Sequence, residues 1–160
     1  MEAGKTVVLA ASIGVAVVAL AIVPVRIGAA AGASLAERLA HPLCHANIFH
    51  ALANTWCLVS VAHHYRPSVW ELLGSYAIAV SVPSFVLSDT PTLGLSGACF
   101  ALLGMMVRKV QRRLYYNAWA LAFVAIGFLI PAVNAALHLW CLAVGEFVAI
   151  LNIPAPWNKE

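Results

Sequence analysis

The chain has 160 residues, of which 63% are hydrophobic and 9% are charged, and its mean hydropathy is +0.92. A soluble domain of this size carries about a quarter charged residues, so the composition excludes an ordinary water-exposed surface and predicts that lipid surrounds the chain. The net charge is only +3, and nothing in its distribution suggests a nucleic-acid partner. We expect a single membrane domain over residues 1–160.

Apolar segments with polar or turn-forming flanks predict an all-α, polytopic membrane protein with six transmembrane helices. The segments cover residues 6–25, 45–62, 69–87, 95–107, 115–130 and 133–151. The first contains no charged residue and is long enough to cross a bilayer. Because it is also longer than the apolar region of a signal peptide, we interpret it as a retained helix. A loop of small residues, 27–40, follows it.

The basic residues predict how these segments are oriented, because cytoplasmic loops carry an excess of Lys and Arg. If the N-terminus is cytoplasmic, two basic residues lie in outer loops, Arg26 and Arg38. Seven lie on the inner side: Lys5, Arg66, Arg108, Lys109, Arg112, Arg113 and Lys159. We therefore expect both termini in the cytoplasm, with segments two, four and six all running from outside to inside.

This common direction brings together polar residues that are far apart in the sequence. His50 and Asn54 lie near the start of segment two, Ser96 at the start of segment four, and His138 near the start of segment six. Helices that enter the membrane from the same side place these groups at a similar depth. We expect a polar cluster in the outer half of the bundle.

Segment four is too short to cross the membrane. The 12 residues from 96 to 107 extend about 18 Å as a helix, whereas the hydrocarbon core is about 30 Å thick. The preceding loop must therefore descend into the membrane, where irregular backbone is tolerated only inside protein or beside a water-filled cavity. We expect a cavity open to the outer face, with Ser96 at its floor.

The residue types in this cluster are those of a serine hydrolase. Ser96 could act as the nucleophile and His138 as the base that accepts and later returns its proton. The free N–H groups at the start of a helix favour an anion there. His50 and Asn54 have the spacing i, i+4, so they share a helix face and could donate to the same oxyanion.

No carboxylate has an evident place beside His138. Glu146 lies eight residues further along the same segment, about 12 Å away along a helix, which is too far to hold the ring. Asp89 is more simply explained as a polar loop residue. We therefore predict a Ser–His dyad without a third, acidic member.

The same residue types also have structural explanations. Many serines within membranes only bond a nearby carbonyl, although buried ionisable groups are functional candidates by default. A metal site is disfavoured, because in one continuous helix His45 and His50 would lie about 140° apart, although His41 and His45 would share a face. The cysteines lack metal-binding spacing and are interpreted as small buried hydrophobes: Cys44, Cys57, Cys99 and Cys141.

Three motifs together resemble those of the rhomboid intramembrane serine proteases. Residues 45–54 read HANIFHALAN and are similar to the family's second-helix pattern, with His41 as its upstream histidine. Residues 94–97 read GLSG and match the G-x-S-G motif, and residues 138–145, HLWCLAVG, resemble the sixth-helix motif. The resemblance covers about residues 41–150 in the family's order.

The resemblance implies a six-helix bundle that hydrolyses peptide bonds in or near the transmembrane segments of other membrane proteins. It assigns Ser96 as nucleophile and His138 as base. It assigns His50, Asn54 and the Ser96 amide to the oxyanion site, and Gly94 and Leu95 to the surroundings of the substrate. Typical substrates have small residues at the cut and helix-destabilising residues nearby, and a lateral gate is expected near the fifth helix.

The chain departs from the family pattern at positions close to the proposed dyad. Phe100 replaces the family's usual Tyr, and we expect it to keep the stacking on His138 while losing the hydroxyl. Leu137 and Cys141 replace the family's Ala and Gly. Because close helix packing in membranes depends on small residues, these two replacements predict a contact between segments four and six that is either looser or rearranged.

The alternative function is that of a catalytically inactive rhomboid-like protein that binds or escorts membrane helices. For either function we expect an integral protein of a bacterial plasma membrane, with transmembrane proteins as partners and lipid around it. The sequence contains no motif for a cofactor, and we expect none. A monomer is expected to suffice for catalysis.

Overall fold

The computed structural model describes residues 2–23 and 27–151, which contain seven α-helices and two short 3₁₀ helices. The all-α prediction is confirmed for this part of the chain. The elements are α1 (Glu2–Ile22), α2 (Leu35–Ala40), a 3₁₀ helix (His41–Leu43), α3 (Ile48–Tyr65), α4 (Val69–Val80), α5 (Ser96–Met106), a second 3₁₀ helix (Val107–Lys109), α6 (Arg113–Phe128) and α7 (Ala135–Leu151). Arg26 and Lys159, used above for orientation, lie outside the described residues.

The predicted third segment, 69–87, was wrong at its end. Helix α4 ends at Val80, where the N–H of Ser81 makes the last helical bond, to the carbonyl of Ala77. Pro83 explains the stop, because a proline disfavours helical geometry at the residue before it, here Val82. Residues 81–95 are consequently irregular, and they form the long loop that leads to α5.

The predicted loop 27–40 was wrong in its second half, which forms helix α2. Ser34 and Glu37 build a capping box at its start, in which the Glu37 carboxylate accepts from the Ser34 N–H at 2.7 Å and from its hydroxyl at 2.8 Å. These bonds lower the pKa of Glu37. Arg38 then reaches the loop after α4, donating to the Val82 carbonyl at 2.5 Å and to Ser84 Oγ at 2.8 Å.

Helix α5 lies at the centre of the bundle, in contact with α3, α4 and α7. It is apolar on every side, and a helix of that kind is stable only when it is surrounded. Its buried residues accordingly face all directions: Gly97, Ala98, Cys99, Ala101, Leu102, Gly104, Met105 and Met106. Helix α1 packs on α3, and α6 packs on α7 at the periphery.

Of the looser or rearranged contact predicted between segments four and six, the looser one was wrong, because two glycines let the backbones of α5 and α7 touch. A Cβ at Gly104 would lie 2.3 Å from the Leu142 carbonyl oxygen, and one at Gly145 would lie 2.1 Å from that of Ala101. Leu137 fits because it faces another glycine, Gly97, where an added Cβ would lie 2.8 Å from its Cδ2 atom. The large side chain of Leu137 on α7 thus occupies the space that Gly97, which has no side chain, leaves on α5.

The periphery of the bundle is apolar, as the composition predicted. Large hydrophobic side chains stand exposed on the outer faces of several helices, among them Phe49, Trp56, Trp70, Leu114 and Leu129. By length and composition alone, one helix within the described residues could cross a bilayer, Gly4–Ile22, whereas the apolar helices α4 and α7 are shorter. Three of the cysteines are buried and Cys57 is partly buried, all as free thiols, in agreement with their interpretation as small hydrophobes.

Candidate active site

Ser96 and His138 face each other across the contact between α5 and α7. The Ser96 hydroxyl lies 2.8 Å from His138 Nε2, the distance at which the hydroxyl donates to an unprotonated ring nitrogen. Ser96 is the first residue of α5, and His138 lies in the first turn of α7, 9% exposed. The two residues singled out in the sequence are therefore adjacent, with a geometry suited to proton transfer.

The ring of Phe100 stacks on the imidazole ring of His138. Its ring centroid lies 4.5 Å from that of His138, with 22° between the ring planes. Phe100 follows Ser96 by one helical turn, so both side chains lie on the same face of α5. The stacking expected for Phe100 is confirmed, and it restricts the orientation of the imidazole ring.

Asn134 connects the start of α7 to the loop that precedes Ser96. Its side-chain oxygen accepts from the Leu137 N–H at 3.0 Å, and so caps the helix that carries His138. Its amide nitrogen donates to Thr92 Oγ1 at 3.1 Å and to the Val86 carbonyl at 3.4 Å. The Asn134 side chain thus fixes the start of α7 relative to residues 86–92. This residue was not predicted from the sequence.

The loop before Ser96 is also held from the N-terminal side. Ala29 and Thr92 form an antiparallel bridge, with both N–H to carbonyl distances at 2.9 Å. The N–H of Gly94 donates to the His41 carbonyl at 2.9 Å. Burial lowers the pKa of His41, so at neutral pH its ring is uncharged, and its Nδ1–H donates to the Arg38 carbonyl at 2.8 Å.

Gly94 is the point at which the backbone meets His50 and Asn54. Its φ of +112° is a conformation that side chains disfavour. A Cβ here would also lie 2.7 Å from His50 Cε1 and 3.2 Å from Asn54 Nδ2. The glycine of the G-x-S-G motif is therefore required twice, by its backbone angle and by the two side chains packed against it.

His45 belongs to this cluster, although sequence reasoning gave it no role. Its Nε2 atom lies 3.1 Å from the Leu95 N–H nitrogen and 3.0 Å from Asn54 Nδ2. Both of these groups are donors, so Nε2 is the acceptor and the ring proton sits on Nδ1, 3.4 Å from the Leu43 carbonyl. His45 thereby joins the start of α3 to the residue immediately before Ser96.

The helical-face argument about His45 and His50 was wrong in its premise. Helix α3 begins at Ile48, after Asn47, whose side chain accepts from the His50 N–H at 2.9 Å. His45 precedes this cap, so its ring is free to turn toward His50, and the two centroids lie 4.9 Å apart. Asn47, a strong helix-capping residue type, was the sequence signal for the later start.

No group of three potential metal ligands occurs within residues 2–23 and 27–151.

The first free N–H groups of α5 lie beside the dyad. The earliest helical bond runs from the Cys99 N–H to the Leu95 carbonyl at 3.0 Å, so the N–H groups of residues 96–98 precede the helical ladder. They add to the positive end of the helix dipole, at the position where a nucleophilic attack by Ser96 would create an oxyanion. The N–H of Leu95 is not among them, because it is bonded to His45.

Comparison with known proteins agrees with the motifs and the geometry. The Rhomboid domain family matches residues 32–154, which is most of the chain. No curated protein and no solved structure is significantly similar to it. The matched range contains all the residues of the cluster around Ser96, and the chain therefore belongs to the rhomboid family of membrane-embedded proteins, the family of intramembrane proteases.

Proposed function

We propose that this protein is an intramembrane serine endopeptidase that hydrolyses peptide bonds in or near the transmembrane segments of other membrane proteins. The observation that carries the proposal is the 2.8 Å contact between Ser96 Oγ and His138 Nε2. Family membership points to protease chemistry in general. The retained serine and histidine, already at proton-transfer distance, favour an active member of the family.

The reaction follows from the roles of these two residues. Ser96 Oγ attacks the substrate's carbonyl carbon while its proton passes to His138 Nε2. The tetrahedral intermediate collapses, the C–N bond breaks, and His138 returns the proton to the leaving amine. Water then gives its proton to His138 and attacks the acyl–Ser96 ester, which releases the carboxylic acid product and restores the serine.

The oxyanion of each intermediate would be stabilised by donors around the start of α5. We assign this role to the Ser96 N–H and to the side chains of His50 and Asn54, which pack against the backbone of Gly94. A single donor of this kind typically contributes about 2.7–4 kcal/mol to the transition state. Gly94 and Leu95 precede the nucleophile, and we propose that they border the substrate segment.

The proposed arrangement in the membrane is a single domain over residues 1–160, with six spans and both termini in the cytoplasm. Helices α3, α5 and α7 would run inward from the outer face of a bacterial plasma membrane. Helix α5 has 11 residues, about 16 Å, so its first residue would lie below the outer surface, in a cavity open to water. A monomer would suffice, since every proposed catalytic group comes from one chain.

The proposed substrates are transmembrane proteins whose cleaved segment can leave its helix. Small residues at the cut and helix-destabilising residues nearby would allow an extended segment to reach Ser96. Entry would occur laterally, near α6 (Arg113–Phe128). This helix packs on α7 at the edge of the bundle, which is consistent with a movable position.

Labelling with a fluorophosphonate tests the proposal directly, because this reagent reacts with activated serines. The purified protein would be compared with Ser96→Ala, His138→Ala and the control Ser81→Ala, whose hydroxyl donates to the Ile78 carbonyl in the last turn of α4. We expect labelling of the wild type and of the control, and none of the other two. Equal labelling of all four proteins would contradict the hydrolase and favour the inactive, helix-binding alternative. Cleavage of a transmembrane substrate in liposomes then separates protease from esterase activity.

A further inference from the structure

A second polar site lies near the start of α1, around the turn between α3 and α4. A partly open cavity of about 520 Å³ is lined there by three parts of the chain. Its lining residues, here called the basic pocket, are Lys5, Thr6, Arg66, Pro67, Ser68, Val69, Trp70, Glu71 and Lys109. The pocket has no part in the proposed proteolysis.

The charges of the basic pocket do not cancel. Its single carboxylate, Glu71, is already engaged, by Lys109 Nζ at 2.8 Å and by the Ser68 N–H at 2.5 Å. Among the side chains that the structure describes, Lys5 and Arg66 form no ion pair. Within the described part of the chain, two cations of the pocket are therefore left without a paired carboxylate, an arrangement that attracts an anion.

The backbone holds Arg66 firmly in this position. It follows the last residue of α3 with a φ of 47°, and its N–H donates to the Ala62 carbonyl at 3.1 Å. The next residue, Pro67, is buried, and Ser68 then caps α4 with Glu71. A rigid turn thus presents the guanidinium to the cavity, and this favours recognition of an anion with fixed geometry over loose ionic attraction.

The surroundings of the pocket combine an apolar rim with a wider cationic surface. Trp70 is 80% exposed beside it, and tryptophan is enriched where proteins meet the boundary between lipid and water. On the other side, Lys109 also lines a larger, open depression along residues 108–115. This depression adds Arg108, Arg112 and Arg113 to the cationic surface, and its lining residues include no carboxylate.

We propose that the basic pocket binds the phosphate headgroup of an anionic phospholipid, such as phosphatidylglycerol. The family is membrane-embedded, basic pockets between helices at a membrane surface are suited to anionic headgroups, and Trp70 offers an apolar path for the acyl chains. Lys5 and Arg66 contact the phosphate. A soluble phosphate would use the same cations but would gain nothing from the exposed tryptophan.

The experiment measures binding of phosphatidylglycerol to the full chain by native mass spectrometry from detergent micelles. The test variant is Lys5→Gln/Arg66→Gln, and the matched control is Arg112→Gln/Arg113→Gln, which removes the same charge outside the pocket. Since each basic residue near an anionic lipid contributes about fivefold in affinity, we expect at least a tenfold loss in the test variant. The control should change less than threefold. Arg66→Lys keeps the charge but loses the planar guanidinium, so it should lose affinity severalfold, though less than Arg66→Gln.

Three results would overturn the proposal. Equal losses in the test and control variants would indicate a diffuse electrostatic surface without a site. Unchanged binding in the test variant would remove the pocket from lipid recognition. Displacement of the lipid by millimolar glycerol phosphate would identify a soluble phosphate as the occupant. A thermal unfolding midpoint within a few degrees of wild type verifies that each variant is folded, and fluorophosphonate labelling of Ser96 should be the same in all of them.

Discussion

The Leu95 N–H donates to His45 Nε2 at 3.1 Å, and this bond fastens the residue before Ser96 to the segment that leads into α3. The same nitrogen holds the Asn54 amide at 3.0 Å. His45 thus positions a backbone group on one side and a proposed oxyanion donor on the other. His45 acts on the reacting atoms through Leu95 and Asn54, so we regard it as a positioning residue.

Replacing His45 by alanine should therefore weaken catalysis without removing the dyad. The buried Leu95 N–H would lose its acceptor, a loss that costs about 1–3 kcal/mol, and Asn54 would be free to turn. We expect kcat/KM for a transmembrane substrate to fall about 10- to 100-fold, mainly through kcat. His64→Ala, an exposed histidine in the last turn of α3, serves as the control. Wild-type turnover in His45→Ala would refute the positioning role.

The proposed oxyanion donors can be tested individually. His50→Ala and Asn54→Ala should each lower kcat about 100- to 1,000-fold, the usual effect of removing one oxyanion donor. KM should change much less, because the donors act on charge that develops only in the transition state. The thermal unfolding midpoint of each variant checks that folding is intact. Full activity in both folded variants would remove this assignment.

Asn134 should position His138 through the loop before Ser96. Asn134→Asp keeps the oxygen that caps Leu137 but loses the donor to the Val86 carbonyl, and it reverses the bond to Thr92, whose hydroxyl must then donate to the carboxylate. We expect kcat to fall about tenfold with KM within twofold, and Thr92→Val to show part of the same loss. Thr90→Val, an exposed threonine in the same loop, is the matched control.

The changes Asn134→Asp and Thr92→Val should also be non-additive, because both act on the same side-chain contact between Asn134 and Thr92. The double variant should lose little more activity than Asn134→Asp alone. If the two effects simply multiply, the two side chains act independently, and the bond does not position the histidine.

The glycines between α5 and α7 should control stability. Gly104→Ala and Gly145→Ala would place a Cβ at 2.3 Å and 2.1 Å from backbone oxygens of the facing helix. The helices would have to separate, and we expect a cost of about 3 kcal/mol, seen as a lower thermal unfolding midpoint. Gly4→Ala, also helical but with nothing within 4 Å of the added atom, should leave the midpoint unchanged or raise it. An equal response in all three variants would contradict close helix contact.

The role of Phe100 can be tested with one variant that keeps the stacked ring and one that removes it. Phe100→Tyr keeps the face that stacks on His138 at 4.5 Å and should retain activity within about twofold. Phe100→Ala removes a contact worth about 0.5–1.5 kcal/mol, so His138 should lose orientation and kcat should fall several-fold or more. If Phe100→Ala keeps full activity, stacking is not what orients the imidazole.

Much of the helical architecture was predictable because apolar segments of helical length are encoded locally. Each of the six predicted segments has a corresponding α-helix. The errors fell at boundaries that are set by single residues, such as Pro83, which ends α4 early, and Asn47, which delays the start of α3. The capping box of Ser34 and Glu37 was present in the sequence as well, but α2 has too few apolar residues to be found by hydropathy.

The sequence by itself determined which residues are available for chemistry and in what order the helices bring them. The G-x-S-G motif and a histidine near the start of a later helix sufficed to predict that Ser96 and His138 meet. Only the tertiary structure showed which residues fix the relative position of Ser96 and His138. His45, Asn134 and the pairing of Leu137 with Gly97 act through contacts between residues 40 to 50 positions apart. Such contacts depend on the orientation of whole helices, which no local pattern of residues specifies.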